Sequence, residues 1–283
     1  MLFGSGYMAN IGVLAALLTR HDRVLQDRLN HVSLLEGARL SHAKMHRYPH
    51  TDSHAMAELL ATPHAGLTLL ATDGVFSMEG DLAPLEALSQ VCQDRSDCLL
   101  YVDDAHGFGV LGAEGAGVVS HCQLTAQQVP LYMGTFSKAL GSYGAFVAGS
   151  ADMISYLQQF ARSYGYTTAL PPVIASCILD NLDRMQQSDL RPRLQQVIRY
   201  FRQQAADAGL QLLPSMTPIQ PVLVGDLTHT VQVSEQLFRE GLWVTAMRPP
   251  SVTTPRLRVT LQAQHTPQQI DRLIDRLAGY SRL

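Results

Sequence analysis

Short apolar runs alternate with helix-like segments along the first two thirds of the chain. Four of these runs predict buried strands, at Leu67 to Thr72, Leu99 to Val102, Leu131 to Thr135 and Ala145 to Ala148. Short strands that alternate with helices are typical of a mostly parallel sheet with helices on both faces. The pattern therefore predicts an α/β fold for this part of the chain.

The pattern changes at about Pro171, where a helical stretch begins that runs through Met185, and a second one covers Leu190 to Ala208. Beyond it the sequence predicts strands at residues 221–224, 243–246 and 257–261 and helices at residues 231–240 and 267–277. We therefore predict a smaller α+β domain over residues 176–283, after a large domain over residues 1–175.

Each predicted strand of the large domain ends in residues suited to a functional loop. These residues are Asp73-Gly74, Asp103-Asp104, Ser137-Lys138 and Gly149-Ser150. In open α/β sheets, ligands bind beyond the carboxyl ends of the strands. We therefore expect these loops to converge on one crevice.

The N-terminus reads as a glycine turn that opens a helix. Residues Gly4-Ser5-Gly6-Tyr7 would present free backbone N–H groups, which can bind an anion. Such a loop normally follows a strand, yet three residues precede it here. We therefore expect an upstream segment to be missing, through truncation or a misplaced start.

Composition narrows the possible partners and locations. The 21 basic and 24 acidic side chains give a formal net charge of −3, which does not favour nucleic-acid binding. No apolar stretch approaches the roughly 20 residues that a membrane-spanning helix needs, and no secretory signal is visible. The four cysteines show no CxxC spacing and are expected to be structural thiols. We predict a cytoplasmic protein that binds neither nucleic acid nor membrane.

Lys138 is one of only two lysines in the chain, the other being Lys44. It follows a buried strand and lies among small residues, which let a bulky ligand approach the backbone. A partly desolvated amine loses its proton readily and can form a Schiff base with an aldehyde. Taken alone, Lys138 is better explained as a solvated loop lysine.

Asp103 and His106 extend the candidate site. A carboxylate at a strand end can keep a pyridine nitrogen protonated, and a nearby imidazole can bind the phenolic oxygen of pyridoxal phosphate (PLP). The alternatives are a structural Asp–His pair or a metal site, and the lack of a third ligand disfavours the metal. His31, at a predicted strand-to-helix junction, could stack on a cofactor ring or simply begin the helix.

Eight blocks in order carry a resemblance to a known family. They are GSGYMAN, DRLNHVSLLEGARLS, TDGVFSMEGD, VDDAHGFGVLG, TFSKALGSYG, YTTALPP, WVTAMRPPSV and RLRVTLQAQHT. Together they resemble the α-oxoamine synthases, which are PLP-dependent enzymes of fold type I. The resemblance spans nearly the whole chain.

The resemblance implies roles for individual residues. Lys138 matches the Schiff-base lysine, Asp103 the partner of the pyridine nitrogen, and His106 the partner of the phenolic oxygen. His31 matches the imidazole that stacks over the cofactor and faces the substrate. Further implied positions are Gly6, Tyr7, Ser77, Thr135, Thr167 and Thr168 for the cofactor and its phosphate, and Ser251 and Arg258 for the substrate.

The resemblance also implies an activity. The expected reaction is the decarboxylative condensation of L-alanine with a pimeloyl thioester, on CoA or acyl carrier protein, to give 8-amino-7-oxononanoate for biotin biosynthesis. A homodimer with the active site at the subunit interface is expected, with Thr167 and Thr168 reaching the neighbour's phosphate. The alternatives are another α-oxoamine synthase, such as glycine C-acetyltransferase, and a truncated, catalytically silent protein that binds a cofactor or a partner.

Overall fold

The computed structural model describes residues 1–280, and within them the chain divides into two compact units. The first unit contains residues 1–76 and 82–187, and the second contains residues 77–81 and 188–280. The sequence-based boundary at residue 175 falls inside a helix that packs on the first unit. Ile178 of that helix is buried together with Phe136 and Leu140, so this helix stays with the large unit.

The described strands of the first unit form one seven-stranded sheet in the order β1-β7-β6-β5-β4-β2-β3. The strands are β1 (Leu2–Phe3), β2 (Arg23–Asp27), β3 (Lys44–Tyr48), β4 (Thr68–Asp73), β5 (Cys98–Asp103), β6 (Leu131–Thr135) and β7 (Ala145–Gly149). Strands β3, β2, β4, β5 and β6 run parallel, whereas β7 is antiparallel to both β6 and β1. The prediction of a mostly parallel sheet is confirmed.

Helices cover both faces of this sheet. They are α1 (Gly6–Leu17), α2 (Val32–Ser41), α3 (Ser53–Ala61), α4 (Leu85–Gln93), α5 (Val118–His121), α6 (Ala151–Phe160), α7 (Arg162–Gly165) and α8 (Pro172–Gln187). The neighbouring β4 residues Leu69 and Leu70 are both fully buried although their side chains point to opposite faces. Continuous apolar runs of this kind are what a two-sided core requires.

Three strands of the first unit differ from the sequence-based expectation. Residues Leu2–Phe3 form strand β1 before the glycine turn, where no strand was expected, by pairing with β7. Strand β3 was not predicted, because it lies at the sheet edge and three of its five residues are exposed. Strand β7 was predicted, but it runs antiparallel since the short segment between Thr135 and Ala145 contains no helix to return the chain for parallel pairing.

The second unit is a smaller α+β body, as predicted. Its described strands form an antiparallel sheet in the order β10-β11-β9-β8. These strands are β8 (Gln211–Leu212), β9 (Ile219–Leu223), β10 (Thr245–Met247) and β11 (Arg256–Thr260), and the helices are α9 (Leu190–Asp207), α10 (Leu227–Arg239) and α11 (Pro267–Tyr280). Phe201, Leu257 and Leu277 are fully buried in the shared core of the sheet and helices.

Among residues 1–280, no helix is both long and apolar enough to cross a bilayer.

Candidate active site

Lys138 and His106 meet at the carboxyl edge of the first sheet. Lys138 follows β6 and His106 follows β5, and these strands are parallel neighbours. The Lys138 Nζ lies 2.7 Å from the His106 Nε2. Three of the four loops that were expected to converge, at Asp73-Gly74, Asp103-Asp104 and Ser137-Lys138, do lie at this edge. The fourth, Gly149-Ser150, lies at the opposite edge, because β7 runs antiparallel to β6 and Gly149 pairs with the first residue of β6.

Asp103 is the last residue of β5 and is buried. Its Oδ1 accepts a hydrogen bond from the Ala105 backbone N–H at 3.0 Å, and its Oδ2 accepts one from the Asn10 side-chain amide at 2.6 Å. Both carboxylate oxygens are thus held in place by hydrogen-bond donors. A fixed carboxylate is what a protonated pyridine nitrogen needs as its partner.

His31 begins α2 as its N-cap residue, so it does start a helix, and it also belongs to this cluster. Its Nδ1 accepts from the Ser33 backbone N–H at 3.3 Å and lies 2.7 Å from the Ser33 hydroxyl. Partial desolvation lowers the pKa of His31, with the positive charge of Lys138 acting in the same direction and the negative charge of Asp103 opposing it. The imidazole is therefore neutral near pH 7.

A second buried carboxylate supports the backbone of His31. Asp73 ends β4, pairs in register with Asp103 of β5, and accepts the His31 backbone N–H at 3.1 Å. Burial raises the pKa of Asp73 well above its usual range, and the neighbouring charge of Asp103 adds to this shift. The pair therefore carries less negative charge than two free carboxylates would.

The remaining positions predicted to bind the cofactor in the first unit lie at a strand end, at a helix start and in a loop. Thr135 is buried, and its hydroxyl donates to the Gly144 carbonyl at 3.0 Å and lies 2.9 Å from the Ser137 hydroxyl. Gly6 and Tyr7 open α1, where backbone N–H groups can bind an anion. Thr167 and Thr168 are exposed between α7 and α8.

The substrate positions lie in the second unit, together with Ser77. Arg258 of β11 donates to the Ser77 carbonyl at 3.1 Å. Its Nε is buried without a hydrogen-bond partner among the described residues, and burial lowers the pKa of its guanidinium. Ser251 is exposed in a turn that follows Arg248.

The two arginines on one face of β11 differ in their hydrogen-bond partners. Arg256 and Arg258 lie two residues apart on β11, so their side chains point to the same face of the sheet. Arg256 is buried and forms an ion pair with Glu79 at 3.1 Å, whereas the Arg258 Nε points to no acceptor in the described chain. Arg258 therefore keeps donor capacity for a ligand.

Sequence reasoning gave no role to Asn10, Ser33 or Tyr101, although each contacts a predicted site residue or supports one. It placed Asp73 in a functional loop without assigning it a contact. Asn10 and Ser33 lie in the quoted blocks GSGYMAN and DRLNHVSLLEGARLS. The usable signal was a polar residue inside the otherwise apolar stretch of α1, because a buried amide in such a helix needs partners.

No group of three or more His, Cys, Asp or Glu side chains within residues 1–280 is arranged to hold a metal ion.

Comparisons with known proteins show which family this chain resembles. The family model for aminotransferase class I and II matches residues 1–277. The chain is 48% identical to an 8-amino-7-oxononanoate synthase of Hahella chejuensis over 99% of its own length and 71% of that protein.

Two solved structures share the fold. An 8-amino-7-oxononanoate synthase of Francisella tularensis matches with 31% identity and a TM-score of 0.89, covering 99% of this chain and 81% of that one. A serine palmitoyltransferase variant of S. paucimobilis with a bound PLP–myriocin adduct matches with 28% identity and a TM-score of 0.94, covering 100% of this chain and 72% of that one.

Proposed function

We propose that this chain condenses L-alanine with a pimeloyl thioester, because it belongs to the 8-amino-7-oxononanoate synthases. These are PLP-dependent acyltransferases of biotin biosynthesis within the class I and II aminotransferase family. The observation that carries this proposal is the 2.7 Å approach of the Lys138 Nζ to His106, with the bound carboxylate of Asp103 on the same strand end as His106.

The side chains of the first unit fit PLP by their chemistry. Lys138 supplies the primary amine that bonds the cofactor aldehyde, and Asp103 supplies an acceptor for the pyridine N–H. His106 supplies a ring nitrogen for the phenolic oxygen. The start of α1 at Gly6 and Tyr7 offers backbone N–H groups to the phosphate, with the Ser77 and Thr135 hydroxyls as further candidates.

PLP, when bound, supplies an electron sink that stabilises negative charge on the α-carbon of the amino acid. The protein's own task is to hold that sink in its protonated form and to move one proton. Asp103 does the first, because a buried carboxylate stabilises a positive pyridinium. The amine of Lys138, once released by the substrate amine, takes the α-proton of alanine and later returns it.

Arg258 is the proposed binding residue for the amino-acid carboxylate. Its Nε lacks an acceptor within the described chain, and a guanidinium binds a carboxylate through two parallel hydrogen bonds. Ser251 is proposed to contact the same substrate. We expect Arg258→Gln to raise the KM for alanine by roughly 10- to 100-fold, as expected for loss of a charged hydrogen-bonded pair, in steady-state kinetics.

The proposed reaction forms a carbon–carbon bond between the alanine α-carbon and the acyl carbonyl carbon, and the carbon–sulfur bond of the thioester breaks. The thiolate leaves and takes a proton from water. The bond between the α-carbon and the alanine carboxylate then breaks, carbon dioxide leaves, and the proton removed at the start returns to the α-carbon. His31, neutral because of its lowered pKa, is the residue proposed to stack on the cofactor and to face the substrate.

We propose a homodimer in which Thr167 and Thr168 serve the site of the second copy. Both are exposed, and they follow Tyr166, which is also exposed, as is Phe160 of α6. Sedimentation will show whether the holoprotein is a dimer. Mixing Lys138→Ala with a Thr167→Ala/Thr168→Ala double variant tests the exchange, because one site of each mixed dimer is then intact and activity returns above that of either variant alone.

The activity is tested with purified protein, PLP, pimeloyl-CoA and L-alanine, and the released CoA and the product are measured. Lys138→Ala is expected to lower kcat by at least about 100-fold, since it removes the proton-transfer group. Lys44→Ala is the matched control, because Lys44 is the other lysine and lies exposed on the edge strand β3. Equal activity of both variants would contradict the assignment of Lys138.

A different amino acid and acyl donor are the second candidate, favoured by the likeness to serine palmitoyltransferase. Glycine with acetyl-CoA and serine with palmitoyl-CoA are therefore assayed beside alanine with pimeloyl-CoA. Faster turnover of either alternative pair would replace the proposed substrates while keeping the reaction class. Failure of all pairs, with PLP still bound, would support a silent cofactor-binding protein.

A further inference from the structure

A buried chain of polar groups runs from α1 to His31 inside the first unit. Asn10, Ser33 and Tyr101 are each 1% exposed or less, so water does not satisfy their side chains. The Asn10 amide lies 2.6 Å from the Asp103 Oδ2, 2.7 Å from the Ser33 hydroxyl and 2.7 Å from the Tyr101 hydroxyl. Asn10 is thus the point where three elements meet.

The donor and acceptor at each of these contacts follow from chemistry. Both Asp103 oxygens accept, so the Asn10 nitrogen faces the carboxylate and its oxygen faces Tyr101. Burial raises the pKa of Tyr101 well above its usual range, so its hydroxyl keeps the proton and donates to the Asn10 Oδ1. The second amide hydrogen of Asn10 then points to the Ser33 hydroxyl.

The same logic carries on to the imidazole. The Ser33 hydroxyl accepts from Asn10, so its own hydrogen is available for the His31 Nδ1 at 2.7 Å. The Ser33 backbone N–H also points at Nδ1, at 3.3 Å. With two donors directed at Nδ1, the neutral imidazole must carry its proton on Nε2.

We infer that Asn10 is a positioning residue whose amide holds the Asp103 carboxylate and, through the Ser33 hydroxyl, fixes His31 as the Nε2-protonated tautomer. Asn10 contacts Asp103, which is proposed to bind the pyridine nitrogen, and reaches His31, which is proposed to stack on the cofactor ring. The inference therefore rests on the proposed function and deepens it. The Asn10 side chain thus sets two features of the site: a carboxylate held in place as the acceptor for the pyridine, and an imidazole whose N–H donor is on Nε2.

The tautomer is measured on the apoprotein, so the test does not depend on turnover. Two-dimensional 15N–1H spectra at a pH where imidazole is neutral report which ring nitrogen carries the proton, and His31→Gln identifies the His31 signals. We expect the wild type to show an unprotonated Nδ1. Asn10→Ala should move the two His31 nitrogen resonances toward each other, because the Ser33 hydroxyl is no longer oriented.

Asn181→Ala is the matched control. Asn181, like Asn10, is an asparagine on a helix of the first unit, although it is only partly buried. Its amide donates to the Leu140 carbonyl at 3.0 Å, outside the network. It should leave the His31 resonances unchanged. Unchanged resonances in Asn10→Ala as well would overturn the inference.

Two milder variants protect the test if Asn10→Ala does not fold. Tyr101→Phe and Ser33→Ala each remove one hydroxyl. Ser33→Ala should alter the His31 tautomer but leave the PLP dissociation constant near that of the wild type, since the contact of Asn10 with Asp103 remains. Tyr101→Phe should affect both, because the amide of Asn10 loses its orientation. The proposed direction of the network would be contradicted if Ser33→Ala and Tyr101→Phe had the same effects on the His31 tautomer and on PLP binding.

PLP binding separates this inference from the proposed function. Titration of apoprotein with PLP, followed by absorbance, should give a dissociation constant about tenfold higher or more for Asn10→Ala, as expected when a carboxylate loses a hydrogen bond. If the wild type binds no PLP, the proposed function fails while the tautomer result still decides the role of Asn10. If PLP binds and the tautomer does not respond, only the inference fails.

Discussion

The two units bury different kinds of polar group. The first unit buries ionisable carboxylates at the carboxyl edge of its parallel sheet, namely Asp27, Asp73, Asp103 and Asp104. The second buries mostly neutral hydroxyls and amides, such as Ser215, Thr217 and Gln220, and one arginine that is paired with Glu79. Burying a charge is costly unless donors or a partner compensate for it. The buried carboxylates of the first unit therefore lower its stability, and they lie at the sheet edge where the active site is proposed.

The neutral network of the second unit has a structural task. The Thr217 hydroxyl donates to the Gly80 carbonyl at 2.9 Å, which holds the segment 77–81 against β9 and β11. Gly80 has a φ of 73°, and a Cβ there would lie 2.3 Å from the Ile219 carbonyl oxygen. Only glycine fits this close approach. The network thus places the Ser77 carbonyl beside Arg258.

The largest stability effect is expected from the buried ion pair of the second unit. Arg256→Met should lower the free energy of unfolding by about 3–5 kcal/mol, because Glu79 then loses its buried partner. Urea unfolding followed by circular dichroism measures this change. Arg239→Met is the control, since the Arg239–Glu235 pair is exposed and such pairs contribute roughly 0–1 kcal/mol. Equal losses would show that burial does not distinguish the two pairs.

A pH effect is expected from the first unit. Burial raises the pKa of Asp104 to about 7, although hydrogen bonds from the Tyr132 hydroxyl and the Val118 N–H oppose the shift. The folded state therefore binds this proton more tightly than the unfolded state, and the free energy of unfolding falls as pH rises from about 4 to 7.

The Asp104→Asn variant cannot bind this proton, so its free energy of unfolding should fall less steeply as pH rises. The slope should change by at most the equivalent of one bound proton. Denaturant unfolding at a series of pH values measures the slope. Asp226→Asn changes an exposed helix-capping carboxylate of the second unit and serves as the control. A slope in Asp104→Asn equal to that of the wild type would contradict the assignment of a raised pKa to this group.

The smallest effect compares one helix cap in each unit. The Ser5 hydroxyl caps α1 by accepting from the Met8 N–H, and the Asp226 carboxylate caps α10 by accepting from the His229 N–H. Replacing either by Ala should cost about 1 kcal/mol of stability. Only Ser5→Ala should also weaken PLP binding, because the start of α1 is the proposed phosphate site. Equal PLP affinity of both variants would remove α1 from that site.

Much of the fold could be predicted from local sequence patterns. Strand β6 was predicted with its observed bounds, and β4 and β5 within about one residue at each end, since buried apolar runs bounded by polar residues are strong signals. The edge strand β3 lacked such a run because one side of it has no neighbouring strand. The direction of β7 depended on the connection that precedes it, which strand propensity does not report.

Part of the candidate site could also be predicted. Lys138, His106 and Asp103 follow or end neighbouring strands, so their convergence follows from the parallel order of β5 and β6. The contacts of Asn10 could not be predicted from the sequence in this way. Its partners Tyr101 and Asp103 are more than 90 positions away along the chain, and they meet Asn10 only because α1 packs against the sheet.

The sequence by itself determined which segments form strands and helices and which reactive side chains follow the strand ends, because periodicity and turn chemistry act over a few residues. The tertiary structure alone decided which carboxylate meets Asn10, which nitrogen of His31 keeps its proton, and which arginine of β11 is paired. Those outcomes depend on distances of about 3 Å between groups far apart in the chain, and hydrogen-bond energy falls steeply beyond such distances.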